Sequence, residues 1–137
     1  MIMFKKIINI IMMKFFNKLQ IIDVRGNKAY QRDDIDFLVD ACDSLDTKFL
    51  IIKNCLEKSI PLISSMGTGN RMDPSKFSIT TLDKTMNDPV AKILRKRVRD
   101  EHLKGKIKVL CSSEVPKKLG NKIGSNSFVP PSAGLLI

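Results

Sequence analysis

Apolar and polar positions change rhythm several times along this chain, and each change predicts an element. Ile35 to Val39 is an apolar run broken only at Asp36, and it closes on the acidic residues Asp40 and Asp43. With Ala41 it reads as a strand buried on both faces, as in a parallel sheet. Leu45, Phe49, Ile52 and Leu56 then recur at helical spacing and predict an amphipathic helix. Asp43 or Ser44 stands where that helix is capped, and Asp46 adds negative charge to its first turn, where the helix dipole favours it. Pro61 opens a second apolar run, Leu62 to Met66, at the strand position that tolerates proline, and Gly67 and Gly69 end it.

Phe77 and Ile79 alternate with polar neighbours and predict a half-exposed strand. Asp88-Pro89 is a helix start: a capping carboxylate, then a proline whose missing N–H costs nothing there. Val90, Ile93, Leu94 and Val98 give that helix an inner face, and Ile107 to Cys111 predicts a further strand. Ser112 to Ser127 is polar and punctuated by glycine, hence a loop, and Phe128 to Ile137 begins another apolar element. The order is that of half a doubly wound α/β fold. In such folds ligands sit beyond the carboxyl ends of the strands, where Asp43 and the glycine turn fall.

Upstream, residues 1 to about 20 read as one helical segment and Asp23 to Asp34 as a polar connector turning at Gly26. Lys5 and Lys6 precede the apolar Ile7 to Met13, but Asn9 interrupts that run, Lys14 closes it and no small-residue cleavage site follows. The run is also shorter than the ~20 residues a bilayer span takes, so no stable membrane insertion is expected. Two readings stand: an interfacial helix with Lys5, Lys6, Lys14 and Lys18 on its wet side, or an ordinary leader.

Charge alters the picture more than composition does. The chain has 137 residues, enough for one domain with its own core, and a formal net charge of +10. That charge favours anionic partners, nucleic acid first, although a lysine-rich background also produces it. The densest basic stretch follows Asp88-Pro89, where Lys92, Lys96 and Arg99 share a helix face and Arg95 lies beside them. Such a face is either a track for nucleic-acid phosphates or simply a solvated surface. Tyr30 is the one tyrosine and tryptophan is absent, so base stacking has little to work with. The three cysteines, Cys42, Cys55 and Cys111, form no C-x-x-C pair; they read as small hydrophobes in a reducing cytoplasm.

Four segments carry a resemblance: DACDS (Asp40–Ser44), IPLISSMGTGNRMDPSKF (Ile60–Phe77), KTMNDPVAKILRKRVR (Lys84–Arg99) and SNSFVPPSAGL (Ser125–Leu135). In this order they resemble the tRNA threonylcarbamoyladenosine dehydratases of the ThiF/MoeB/HesA adenylating-enzyme superfamily. The resemblance runs from about Asp34 to Ile137 and implies a Rossmann-like, mostly parallel sheet with flanking helices. It implies ATP and Mg²⁺ as cofactors and ATP-dependent cyclisation of a modified tRNA adenosine through an adenylated carboxylate. Asp43 matches the family aspartate that lies near the Mg-bound phosphates; on the bare sequence an aspartate at a strand end is more often a helix cap, and only the surrounding motif sets the two readings level. Gly67, Gly69, Asn70 and Arg71 match the loop bordering the substrate pocket, with Arg71 toward phosphate or substrate carboxylate and Lys84 a second candidate. Lys92, Arg95, Lys96 and Arg99 become the tRNA track, and a homodimer or pairing with a full-length subunit is implied.

A sulfur-carrier adenylyltransferase of the same superfamily is the alternative, but many of those carry paired C-x-x-C motifs absent here. The family's G-x-G-G-x-G-S phosphate loop has no counterpart upstream of Asp36, nor do its ribose-binding acid and its nucleotide-contacting arginine and lysine. The expectation is therefore a leader over 1–34 and a partial ThiF-like domain over 35–137, without the first βαβ nucleotide-binding unit. Such a chain is expected to be inactive alone, with unassigned catalytic residues and an exposed strand flank prone to pairing with another chain.

Overall fold

The computed structural model describes residues 36–137 except 118, 119, 121 and 122. The expectations for the leader, the connector and Ile35 lie outside the described residues. Four strands form one sheet: β1 (Leu38–Asp40), β2 (Leu62–Ser65), β3 (Phe77–Thr81) and β4 (Lys108–Ser112). The helices are α1 (Leu45–Glu57), α2 (Pro89–Asp100) and α3 (Val129–Leu136), with 3₁₀ turns at Pro74–Lys76 and Leu82–Lys84.

The strand order is β1-β2-β4-β3. β1, β2 and β4 run parallel, with Asp40 opposite Ser64 and Ser64 opposite Val109, while β3 joins β4 antiparallel. One face packs under α1 and α2 through Phe49, Ile52, Leu94, Val109 and Cys111. The other meets α3 through Phe77, Leu110, Val129 and Ala133. Helices on both faces of a mostly parallel sheet are what the strand–helix–strand pattern predicts.

Two local readings need correction. β1 is three residues long, and Leu38 and Val39 are only half-buried. Among the described residues β1 pairs with β2 alone, and an edge strand gains less cover than a central one. On α2, Ile93 is 44% exposed, and the buried positions are Ala91 and Leu94. Val90, Leu94 and Val98 already fill the i, i+4, i+8 row, and Ile93 falls one step outside it. The caps follow expectation: Ser44 takes α1, accepting from the Thr47 amide at 3.3 Å, and the Asp88 carboxylate takes α2 through the Ala91 amide at 2.9 Å.

α1 and α2 end alike. The Ile60 amide reaches the Cys55 carbonyl at 2.8 Å, and the Leu103 amide reaches that of Val98 at 3.0 Å. Each bond closes a left-handed turn held by a non-glycine residue, Ser59 (φ 56°) and His102 (φ 53°). A side chain in that conformation costs roughly 1–2 kcal/mol. Ser59→Gly and His102→Gly are each expected to raise the unfolding free energy by about 1 kcal/mol in urea melts.

Candidate functional site

The carboxyl ends of β1, β2 and β4 lie side by side, and the loops leaving them make the candidate site. β1 ends on Asp40, which is buried. Its Oδ2 accepts from Lys48 Nζ at 2.7 Å and from Ser64 Oγ at 2.6 Å, while Oδ1 accepts from the Cys42 amide at 3.0 Å. Lys48 reaches it from the first turns of α1 and is itself buried. A buried charge pair is tolerated only when further hydrogen bonds satisfy its remaining atoms, and Ser64 and the Cys42 amide do that here. The Asp40 carboxylate thereby fixes the turn that carries Asp43. Asp43 itself is exposed and projects beyond the strand end. Burial, then the Asp40 charge, pushes the neighbouring Cys42 thiol up to about 12, so it is no nucleophile at neutral pH.

β2 runs into Met66 and the glycine turn. Asn70 holds that turn in the left-handed region (φ 58°), its amide bonded to the Gly124 carbonyl at 2.8 Å and its Oδ1 to the Gly124 amide at 2.6 Å. Ile123 closes over Gly69 so tightly that a Cβ there would lie 2.4 Å from its Cγ2. Gly67 faces Val90 and the Asp88 carboxylate at the start of α2. The turn at Asn70 sends Arg71 inward, where the residue is 2% exposed. Nη2 donates to the Asn87 carbonyl at 2.9 Å and lies 3.4 Å from Asp88 Oδ2, whereas the buried Nε and Nη1 have no partner.

Glu114, just past β4, secures the next residues of the same loop. Its carboxylate accepts from the Met72 amide at 3.0 Å and the Asp73 amide at 3.0 Å. Those backbone bonds, foremost the one from Asp73, hold its carboxyl below the usual range. A depressed folded-state value means the contribution is present above the unfolded value and lost as pH falls through the folded one. The protection factors of the Met72 and Asp73 amides are therefore expected to fall as pH drops below the normal glutamate range. In Glu114→Gln that acid-dependent step should disappear.

Lys84 does not join this end. Leu82 bonds the Ile107 carbonyl at 2.9 Å and Thr81 stands opposite Lys108, which places the Leu82–Lys84 turn at the amino end of β4. Arg95 is likewise turned inward, donating to the Thr85 carbonyl at 2.6 Å and to the Thr85 hydroxyl. Lys92, Lys96 and Arg99 are exposed along α2. The sequence pattern made Asp40 a strand-ending acid and a weaker metal-side candidate than Asp43, with a capping or solvated role as the default, and gave Lys48 and Glu114 no role. A lysine set among the apolar positions Leu45, Phe49 and Ile52, eight residues after a strand-ending acid, was the available signal for the first pair. Glu114's seat depends on a contact between distant segments and left no such signal.

No protein-family model matches the chain. The tRNA threonylcarbamoyladenosine dehydratase of Bacillus subtilis (strain 168) is 40% identical over 121 aligned residues, covering 75% of this chain and 48% of that protein. The protein of that description from Escherichia coli (strain K12) is 36% identical over 80 residues, 55% of this chain and 30% of its own. The solved structure of E. coli tRNA N6-threonylcarbamoyladenosine dehydratase, TcdA, in complex with ATP superimposes with a TM-score of 0.66 at 30% identity. That match covers 74% of this chain and 44% of the other. Together with the strand order and the loops beyond it, these likenesses define a ThiF-type Rossmann-like α/β domain. Within that class, the chain is a relative of the tRNA threonylcarbamoyladenosine dehydratases, and it spans about half the length, or less, of these curated relatives.

Proposed function

We propose that this chain contributes one part of an ATP-dependent tRNA threonylcarbamoyladenosine dehydratase, the part that carries the metal carboxylate and the substrate-side loop. The observation that carries the reading is Asp43: an exposed carboxylate at a parallel strand end, on a turn fixed by a buried ion pair, in a fold shared with an enzyme solved with ATP. Among the described residues no three His, Cys, Asp or Glu side chains gather into a metal cage. Asp43 thus fits a Mg²⁺ held by one protein carboxylate, with the other oxygens coming from phosphate and water, as is usual for that ion. The nucleotide half of the requirement is not met, because these 137 residues contain no G-x-G-G-x-G-S loop.

ATP would activate a carboxylate of the substrate by adenylation, and the chain's own residues would shape the surroundings. Gly67, Gly69 and Asn70 form the wall beside Asp43, and Arg71 braces that wall from behind through Asp88. Lys92, Lys96 and Arg99 face outward for RNA phosphate, with Arg95 holding the helix against Thr85. The 137-residue chain is expected to leave its melting temperature unchanged in millimolar Mg-ATP and to form no cyclic product from tRNA alone. A saturable rise in melting temperature with Mg-ATP would overturn the claim that the phosphate loop must come from another chain or segment.

A further inference from the structure

We infer that the RNA-binding surface continues past α2 to the amino end of the sheet, through Lys84, Lys104 and Lys106; this rests on the proposed reading that RNA is the substrate. α2 leaves the carboxyl end beside Gly67, and β4 then runs back in the opposite sense, so α2 ends where β4 begins. Over its 12 residues the helix spans about 18 Å and strings its exposed cations from the pocket end toward the far corner. At its far end the chain turns through Lys104, Gly105 and Lys106 into β4, and the Leu82–Lys84 turn is bonded to the same corner by the Leu82 amide. The Asp83 carboxylate feels both Lys84 and Lys106, which places the two lysines around one point.

The nearby acids do little to offset this charge. Glu101 is taken by Lys53 at 2.8 Å and Asp46 by Arg97 at 2.6 Å, while Asp83, held ionised beside Lys84 and Lys106, is one carboxylate against the three lysines of that corner. Asp100 stays exposed as the one opposing charge on this stretch of α2. Lys84, Lys92, Lys96, Arg99, Lys104 and Lys106 are all exposed, and none makes an ion pair with a described residue. Lys108 belongs to a different surface, because strand alternation turns it away from Val109 and the α2 side.

Residues 36–137 contain neither tyrosine nor tryptophan, and Phe49 lies buried beneath Arg97. Such a surface reads backbone charge, not bases. A strand whose reacting nucleoside sits near Asp43 would lay several phosphates along α2 before reaching the corner at Lys84.

The test is fluorescence anisotropy of a labelled anticodon stem-loop RNA titrated with the full 137-residue chain at several salt concentrations. The Lys84→Gln/Lys106→Gln double variant is expected to weaken binding and to lower the salt slope by about 1.5, as is Lys92→Gln/Lys96→Gln. Lys108→Gln, on the face of the sheet turned away from α2, should match the parent chain. If only the α2 pair alters the slope, the extension is overturned and the α2 track stands; if neither pair does, both fall. Displacement of the RNA by phosphatidylserine vesicles with the same dependence on Lys84 and Lys106 would assign these lysines to a lipid surface and overturn the inference.

Discussion

Lys48→Met is expected to destabilise the fold by about 3–5 kcal/mol, because it leaves the Asp40 carboxylate buried without its counter-charge. In this size range that is a fall in Tm of more than about 10 °C. Ser64 Oγ and the Cys42 amide still point at Asp40 in the variant, but neither carries charge. The paired change Asp40→Leu/Lys48→Met should recover most of the loss, since a buried ion pair replaced by apolar groups of similar volume is often neutral. A single-variant cost under about 1 kcal/mol would mean that water reaches the pair and that it does not hold the Asp43 turn.

The second large effect is expected at Asp88. Its carboxylate caps α2 through the Ala91 amide and faces the Arg71 guanidinium, so Asp88→Ala removes a cap and strands a buried cation. A cap is worth about 0.5–2 kcal/mol and an uncompensated buried charge about 3–5, so a combined loss of roughly 4 kcal/mol is expected. Arg71→Met should cost distinctly less. It removes two buried nitrogens that lack partners, and the Asp88 carboxylate it leaves without a cation is still compensated by the Ala91 amide and the amino terminus of α2. Urea melts of the two variants decide the point, and the reverse ranking would mean that Arg71, not the cap, organises the glycine loop.

These two pairs also mark what was legible in the sequence. Apolar runs placed the doubly covered strands β2 and β4, alternation placed β3, helical spacing placed α1 and α2, and Asp88-Pro89 announced its helix through local chemistry alone. The apolar run of β1 reads as buried on both faces because a run carries no mark of which flank is paired; the missing nucleotide-binding unit implied a free flank, and among the described residues β1 pairs with β2 alone. For the site, the motif order brought Asp43 and Gly67 to neighbouring strand ends, and the fold keeps them there. Lys84 was misplaced beside them because the connection from β3 to α2 runs the length of the sheet. Its sequence distance from Arg71 is short while the fold puts the two at opposite ends. Arg95 looked like surface charge by spacing and turned inward because Thr85 offers it two acceptors, a tertiary fact.

The central reading is tested most directly by restoring what these residues do not contain. The segment of the Bacillus subtilis dehydratase that precedes its matched region would be fused ahead of residue 36, and cyclisation of threonylcarbamoyladenosine in tRNA would be measured with Mg-ATP. The fusion is expected to form cyclic product, and Asp43→Asn in that fusion is expected to abolish it while leaving the melting curve unchanged. A folded fusion that forms no product, or one that keeps full activity with Asp43→Asn, would contradict the assignment of this sheet end as the metal and substrate side of such an enzyme.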